Sequence, residues 1–310
     1  MHRPPTPIRP PMLIRGDLVA VVAPSASPNV HDKLQRGVRF LEEQGLRVRV
    51  GVSVLRERTY IGRDRDLRAD DLNRQLRDKK VRGVFCLVGG FSAYEILEKI
   101  DYAAIARDPK VVMGFSDNTS ILNAIHTRTG VVTFMGENVL WGLSERRRGS
   151  RERFLRALMD PRPLGKVEDE LEAWRDAPVR RARTVAGNLS TITALTGSLF
   201  APAYRGRILF WEDIGIGADD ANAALWQLRL TGVLARLRGM VIGHLEGLDE
   251  ENSDITIRHV VLTAADRSQW PIYKTGAFGH WRPSLVIPIG IRASIGRGEI
   301  AFEESGVSSR

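Results

Sequence analysis

Three side chains that together make an activated nucleophile stand far apart in the chain: Ser116, Glu212 and His280. A serine hydroxyl attacks a carbonyl when an imidazole takes its proton. A carboxylate behind the imidazole fixes the tautomer and stabilises the imidazolium. Ser116 sits in KVVMGFSDNT, residues 110–119. The apolar run 111–113 predicts a buried strand, 114–117 a sharp turn, and a helix starts near Asn118. A serine on such a turn exposes its hydroxyl at the strand tip, and the first helical N–H groups point at any oxyanion forming beside it. The hydrolase elbow reads G-x-S-x-G, and Asn118 stands where the second glycine would be. On local sequence alone, Ser116 or Asp117 would serve equally well as a helix cap.

Of the histidines, His280 is the one held on a tight turn, bracketed by Gly276 and Gly279 and followed by Pro283. His2 is in the N-terminal tail; His31, His126 and His259 fall in predicted helices; His244 ends a predicted strand. Glu212 closes the apolar run ILFWE, and Asp213 beside it is a second carboxylate that local sequence leaves open. The order serine, glutamate, histidine places a domain boundary between the nucleophile and its partners, so the site is expected between domains.

The elements that must position these groups follow from periodicity. Strands are predicted at 17–23, 48–54, 81–88, 111–113 and 131–135, alternating with helices at 29–44, 63–78, 92–100 and 118–130. Such alternation implies a mostly parallel sheet covered by helices, which binds ligands outside the carboxyl ends of its strands. Gly89-Gly90 and Ser116 both lie at such ends, and Ser92 to Glu95 has capping-box spacing. Further on, strands are predicted at 208–211, 240–245, 271–275 and 285–289, with helices at 152–159, 221–231 and 255–265. The resulting division is a disordered Pro-rich leader at 1–15, an α/β nucleophile domain at 16–145, a linker at 146–183, and a C-terminal domain at 184–305 carrying the carboxylate and histidine.

Composition narrows the class. The 310 residues are 43% hydrophobic, enough for about two domains. No apolar run approaches the roughly 20 residues of a membrane span, and the leader has no h-region, so no membrane partner and a cytoplasmic location are expected. The single cysteine, Cys86, lies in an apolar run and reads as a buried thiol. The formal net charge is +9, but the arginines are interleaved with acids, and no nucleic-acid partner is expected. No G-x-G-x-x-G follows a strand, there is no P-loop, and no Cys/His cluster has ligand spacing, so neither cofactor nor metal is expected.

Eight blocks in order then carry a family resemblance: VAPSAS, VGGFSAYEILEKIDY, DPKVVMGFSDNTSIL, GVVTFMGEN, AGNLSTITALTGS, GRILFWEDIG, LRGMVIG and FGHWRPSLVIPIG. The set resembles the LD-carboxypeptidase family of serine peptidases, which includes muramoyltetrapeptide carboxypeptidases and microcin C immunity peptidases. The resemblance implies a flavodoxin-like N-terminal domain, a β-rich swivelling C-terminal domain and a homodimer. It puts the nucleophile on Ser116, the glutamate on Glu212, the histidine on His280, and the oxyanion hole on the backbone N–H groups of Gly90 and Asp117. The reaction it implies is amide hydrolysis through an acyl-enzyme. The first expectation for substrate is a murein tetrapeptide losing terminal D-alanine. The alternative is the amide of a peptidyl- or aminoacyl-nucleotide, and a second alternative is a non-catalytic binding protein of the same fold. Val88-Gly89-Gly90-Phe91, in place of the Arg-Gly-Gly-Tyr of the peptidoglycan enzymes, looks more like the immunity branch. Phe91 and Trp281 are the candidate substrate contacts.

Overall fold

The computed structural model describes residues 6–56, 63–248, 255–280 and 285–310. Trp281 and Pro283 lie outside the described residues, as does His2.

The N-terminal half alternates as its periodicity requires. Strand β1 (Leu18–Val22) leads to helix α1 (His31–Glu43), β2 (Arg47–Val50), α2 (Arg65–Arg77), β3 (Val81–Cys86), a 3-10 turn at Ala93–Lys99, α3 (Tyr102–Arg107), β4 (Val111–Gly114), α4 (Thr119–Thr129) and β5 (Thr133–Met135). The five strands pair in parallel in the order β5-β4-β3-β1-β2. After α5 (Ser150–Leu158) come β6 (Gly165–Lys166), β7 (Leu171–Arg175), β8 (Arg180–Asn188), α6 (Leu189–Ala194), β9 (Arg207–Ile214), α7 (Ala218–Leu230), β10 (Gly239–Glu246), α8 (Ile257–Ala264), β11 (Ile272–Thr275), β12 (Ile287–Ile289), β13 (Arg292–Gly296) and β14 (Glu299–Phe302). A second, mixed sheet takes the order β6-β14-β13-β8-β9-β10-β11-β7, with β8 to β11 parallel at its centre and antiparallel strands on both sides.

Alternation along the central strands explains how the two halves join. Ile208 and Phe210 of β9, Val241 of β10 and Tyr273 of β11 enter the same core as the N-terminal sheet, together with Val21 and Phe85. Leu209 and Trp211, Met240 and Ile242, and Ile272 face the other way, into a core built with α7 and α8. Side chains of a strand alternate between faces, so a run apolar at every position belongs to a strand buried on both.

Three boundaries differ from the sequence expectation. Residues 6–15 are not a disordered leader: Ile8 bridges to Gly130 and Val132, Met12 N–H donates to Ser308 O at 2.9 Å, and Leu13 is fully buried. Prolines suit such an edge, where no ladder donor is required. The stretch 146–183 is not a linker: Phe154 of α5 stacks on Phe85, and β6 and β7 belong to the second sheet. Finally, β12 leaves the C-terminal half and pairs antiparallel with β5, so the six-stranded N-terminal sheet takes its edge strand from the other half of the chain. Among the described residues no helix is long and apolar enough to cross a membrane.

Candidate active site

Ser116 follows β4 on a turn with left-handed backbone, φ 60°, before the 3-10 turn Ser116–Asn118 that opens α4. A non-glycine residue there costs about 1–2 kcal/mol and persists only if its surroundings hold it. Asn138 Oδ1 accepts from Phe115 N–H at 3.0 Å, Asn118 Nδ2 donates to Val88 O at 2.9 Å, and Thr119 Oγ1 donates to Ser116 O at 2.7 Å. Asn118 is thus a strut that ties the turn to the segment just after β3. The space for it comes from Gly114, where a Cβ would lie 2.9 Å from Asn118 Cβ and from Cys86 Sγ. This accounts for the departure from G-x-S-x-G.

The glycine turn after β3 backs onto the serine. A Cβ on Gly89 would sit 3.0 Å from Ser116 Oγ and 3.4 Å from Asp117 N. The capping box expected at Ser92 is not formed, since Ser92 makes no side-chain cap. The buried Asp117 carboxylate does that work: its Oδ2 accepts from Ser92 N–H and Ala93 N–H, both at 2.8 Å, and from Ser25 Oγ at 2.5 Å. Glu95 pairs instead with the fully buried Arg68, which also donates to Pro24 O and Ser92 O. The Ser116 turn, the glycine turn and the loop after β1 are therefore fastened together through Asp117 and Arg68.

Glu212 on β9 is fully buried, and its Oε2 lies 2.6 Å from His280 Nδ1. His280 follows the turn after β11, where Gly279 (φ 139°) presses on β10: a Cβ there would meet His244 O at 2.6 Å. The imidazole ring stands 4.9 Å from the Phe115 ring, beside the Ser116 turn. Asp213, open on sequence grounds, is occupied elsewhere. Its carboxylate accepts from Asn188 Nδ2, from Ser190 N–H and Oγ, and from its neighbour Ile214 N–H. Burial alone would depress the His280 pKa, but the Glu212 charge and hydrogen bond outweigh it, with Asp213 and Glu246 adding to them, so His280 titrates above its ordinary value. Burial pushes Glu212 up, and His280 opposes that shift. The remaining described histidines are not at this site: His244 pairs with Glu246, His126 is buried against Val131 O, and His31 and His259 are bonded within their own helices.

Ser116, Asp117, Gly90 and His280 all line one cavity of about 590 Å³, whose walls come from both halves of the chain. No direct hydrogen bond joins Ser116 Oγ to His280 among the described residues; catalytic hydrogen bonds are often long in unliganded sites and tighten with substrate. Phe91, 67% exposed, lines the cavity with Tyr94 and Trp141. Sequence reasoning singled out neither of those two aromatics, nor Asn138, Asn188, Arg68 or Arg147. Asn138 and Asn188 do sit within recognised blocks, which was the available signal. Among the described residues no group of three His, Cys, Asp or Glu side chains is placed to hold a metal ion.

The fold is that of the serine-type carboxypeptidases. Residues 19–136 match the LD-carboxypeptidase N-terminal domain and residues 181–295 its C-terminal domain, and the chain belongs to the LD-carboxypeptidase family. It is 31% identical to the probable murein peptide carboxypeptidase of Bacillus subtilis, over 97% of this chain and 95% of that one. It is 25% identical to the microcin C7 self-immunity protein MccF of Escherichia coli, over 90% of each. A solved structure of MccF in complex with aspartyl sulfamoyl adenosine is similar in fold, with a TM-score of 0.87 at 23% identity, covering 97% of this chain and all of that one.

Proposed function

We propose that this chain is a serine carboxypeptidase-type hydrolase that cleaves the amide linking an aminoacyl or peptidyl group to a nucleotide. The observation that carries the reading is the cavity. Its volume of about 590 Å³, with the aromatic side chains of Phe91, Tyr94, Phe115 and Trp141 on the wall shared with Ser116, suits a flat base better than a short aliphatic peptide. The aspartyl sulfamoyl adenosine complex of the MccF relative supports the same choice. The parallel order β5-β4-β3-β1-β2 supports a flavodoxin-like reading of the N-terminal unit, with the active site at the seam between the two sheets.

In this mechanism His280 Nε2 takes the Ser116 proton while Glu212 holds Nδ1–H. Ser116 Oγ attacks the carbonyl carbon, and the developing oxyanion accepts from the N–H groups of Gly90 and Asp117. Donors of this kind contribute about 3 kcal/mol each. The C–N bond breaks as His280 returns the proton to the departing nitrogen. Water, deprotonated by the same imidazole, then releases the acyl group from Ser116.

The second reading is hydrolysis of the L,D-amide of a murein tetrapeptide, favoured by the identity with the Bacillus subtilis relative. Mass spectrometry of products from aspartyl sulfamoyl adenosine and from murein tetrapeptide, with wild type and Ser116→Ala, separates the two. Cleavage of the nucleotide amide by wild type alone supports the first reading, and release of D-alanine alone replaces it with the second. Binding of either compound without turnover points to a binding protein.

A further inference from the structure

Besides His280, the described residues on the cavity wall include four charged side chains: Asp117, Glu137, Asp213 and Arg147. Two of the acids already accept several hydrogen bonds, Asp117 Oδ2 from three donors and the Asp213 carboxylate from four. Glu137, almost buried, accepts from Ser150 Oγ at 3.0 Å and faces Arg147 Nη1 at 3.8 Å, too far for a hydrogen bond. Arg147 donates Nη1–H to Trp141 O at 3.1 Å. Both contacts run through Nη1. Among the described residues Nε and Nη2 have no acceptor, although a guanidinium carries five N–H donors. Its side chain is only 19% exposed, so this is a partly desolvated cation held at the wall of the cavity that contains Ser116. A planar fork in that setting recognises a carboxylate or phosphoryl group in bidentate fashion.

We propose that Arg147 is the specificity-determining residue that receives an anionic group of the substrate. The assignment rests on the hydrolase reading above. The shared chemistry is an oxyanion, supplied either by the free carboxylate of a peptide or by the phosphoryl group of a nucleotide. Glu137 orients the guanidinium from behind, and the Trp141 carbonyl fixes Nη1, which leaves the other edge for the ligand.

The test uses two matched substrate pairs: a murein tetrapeptide and its C-terminal carboxamide, and an aminoacyl phosphoramidate nucleotide and its neutral phosphoryl methyl ester. Wild type, Arg147→Met and Arg147→Lys are compared for kcat and KM on each. Wild type is expected to favour the anionic member of its cleaved pair by about 10- to 100-fold in kcat/KM. Arg147→Met should abolish that preference, the loss falling on KM of the anionic member more than on kcat, and Arg147→Lys should restore part of it. The pair that responds identifies carboxylate or phosphoryl as the source. Equal losses on charged and neutral members, or an undiminished preference in Arg147→Met, overturn the assignment. Should wild type cleave neither pair, the hydrolase reading fails. Calorimetric binding of the same pairs then decides on Arg147: tighter binding of the anionic member, lost in Arg147→Met, upholds it, and equal affinity overturns it.

Discussion

Replacing Glu212 by glutamine changes one atom and separates the chemistry from the fold. Glu212 Oε2 accepts from His280 Nδ1 at 2.6 Å, and Oε1 faces Asn188 Nδ2 at 3.4 Å. A glutamine has one acceptor oxygen to share between two donors. If the oxygen turns to Asn188, the amide NH2 faces Nδ1, the imidazole must carry its proton on Nε2, and it can no longer deprotonate Ser116. If the oxygen turns to His280, the tautomer survives but the imidazolium formed during attack loses its counter-charge. Charge centres about 4 Å apart at an effective dielectric near 20 interact by about 4 kcal/mol, roughly a thousandfold in rate. With the tautomer loss added, we expect kcat to fall about 10³- to 10⁴-fold. Stability should barely change, because burial already disfavours the Glu212 charge and the glutamine has the same shape. Steady-state kinetics and urea unfolding of Glu212→Gln test this together. A kcat within tenfold of wild type, or an unfolding free energy several kcal/mol lower, would refute the reasoning.

Three other outcomes follow from the same geometry. His280 titrates above an ordinary histidine and must be neutral to act as base, so the acid limb of kcat/KM should lie above about pH 6.5; a limb at or below that value contradicts the Glu212 effect. Ser116→Gly should be as inactive as Ser116→Ala yet more stable than it by about 1 kcal/mol in urea, since glycine adopts φ 60° without strain. Burial holds His126 down at about 4, below its unfolded value, so the unfolded chain binds the extra proton. Stability should fall by about 3 kcal/mol as pH drops from about 6.5 to 4, and His126→Gln should flatten that slope in pH-dependent denaturation.

The N-terminal sheet was legible because its central strands β1, β3 and β4 are largely apolar runs with helices between them. The C-terminal half was harder. Strand β8 opens with Arg180, Arg181 and Arg183; Arg181 pairs with Glu303 and Arg183 with Glu304 beyond β14, a partnership over a hundred residues away that no local pattern reveals. The edge strand β7, LEAWR, buries only Trp174, so it too lacks a clear pattern. The crossing of β12 into the first sheet is likewise a long-range event. At the site, Ser116, Gly89 and His280 announced themselves because strained turns need glycines and special φ values nearby. The choice between Glu212 and Asp213 required the fold: adjacent residues on a strand point to opposite faces, and Glu212 is the one turned to His280. Arg147 sat in the charged run SERRRG, where three arginines look alike until the backbone directs one of them at the cavity.

On this reading Ser116 is the nucleophile and His280 its base. Intact-protein mass spectrometry after treatment with a fluorophosphonate tests it directly. Wild type should gain one phosphonyl group, mapped by peptide sequencing to Ser116. Ser116→Ala should gain none, and His280→Ala should react at least a hundredfold more slowly. Labelling of Ser116→Ala at the wild-type rate, or of wild type at another residue, would rule out Ser116 as the nucleophile.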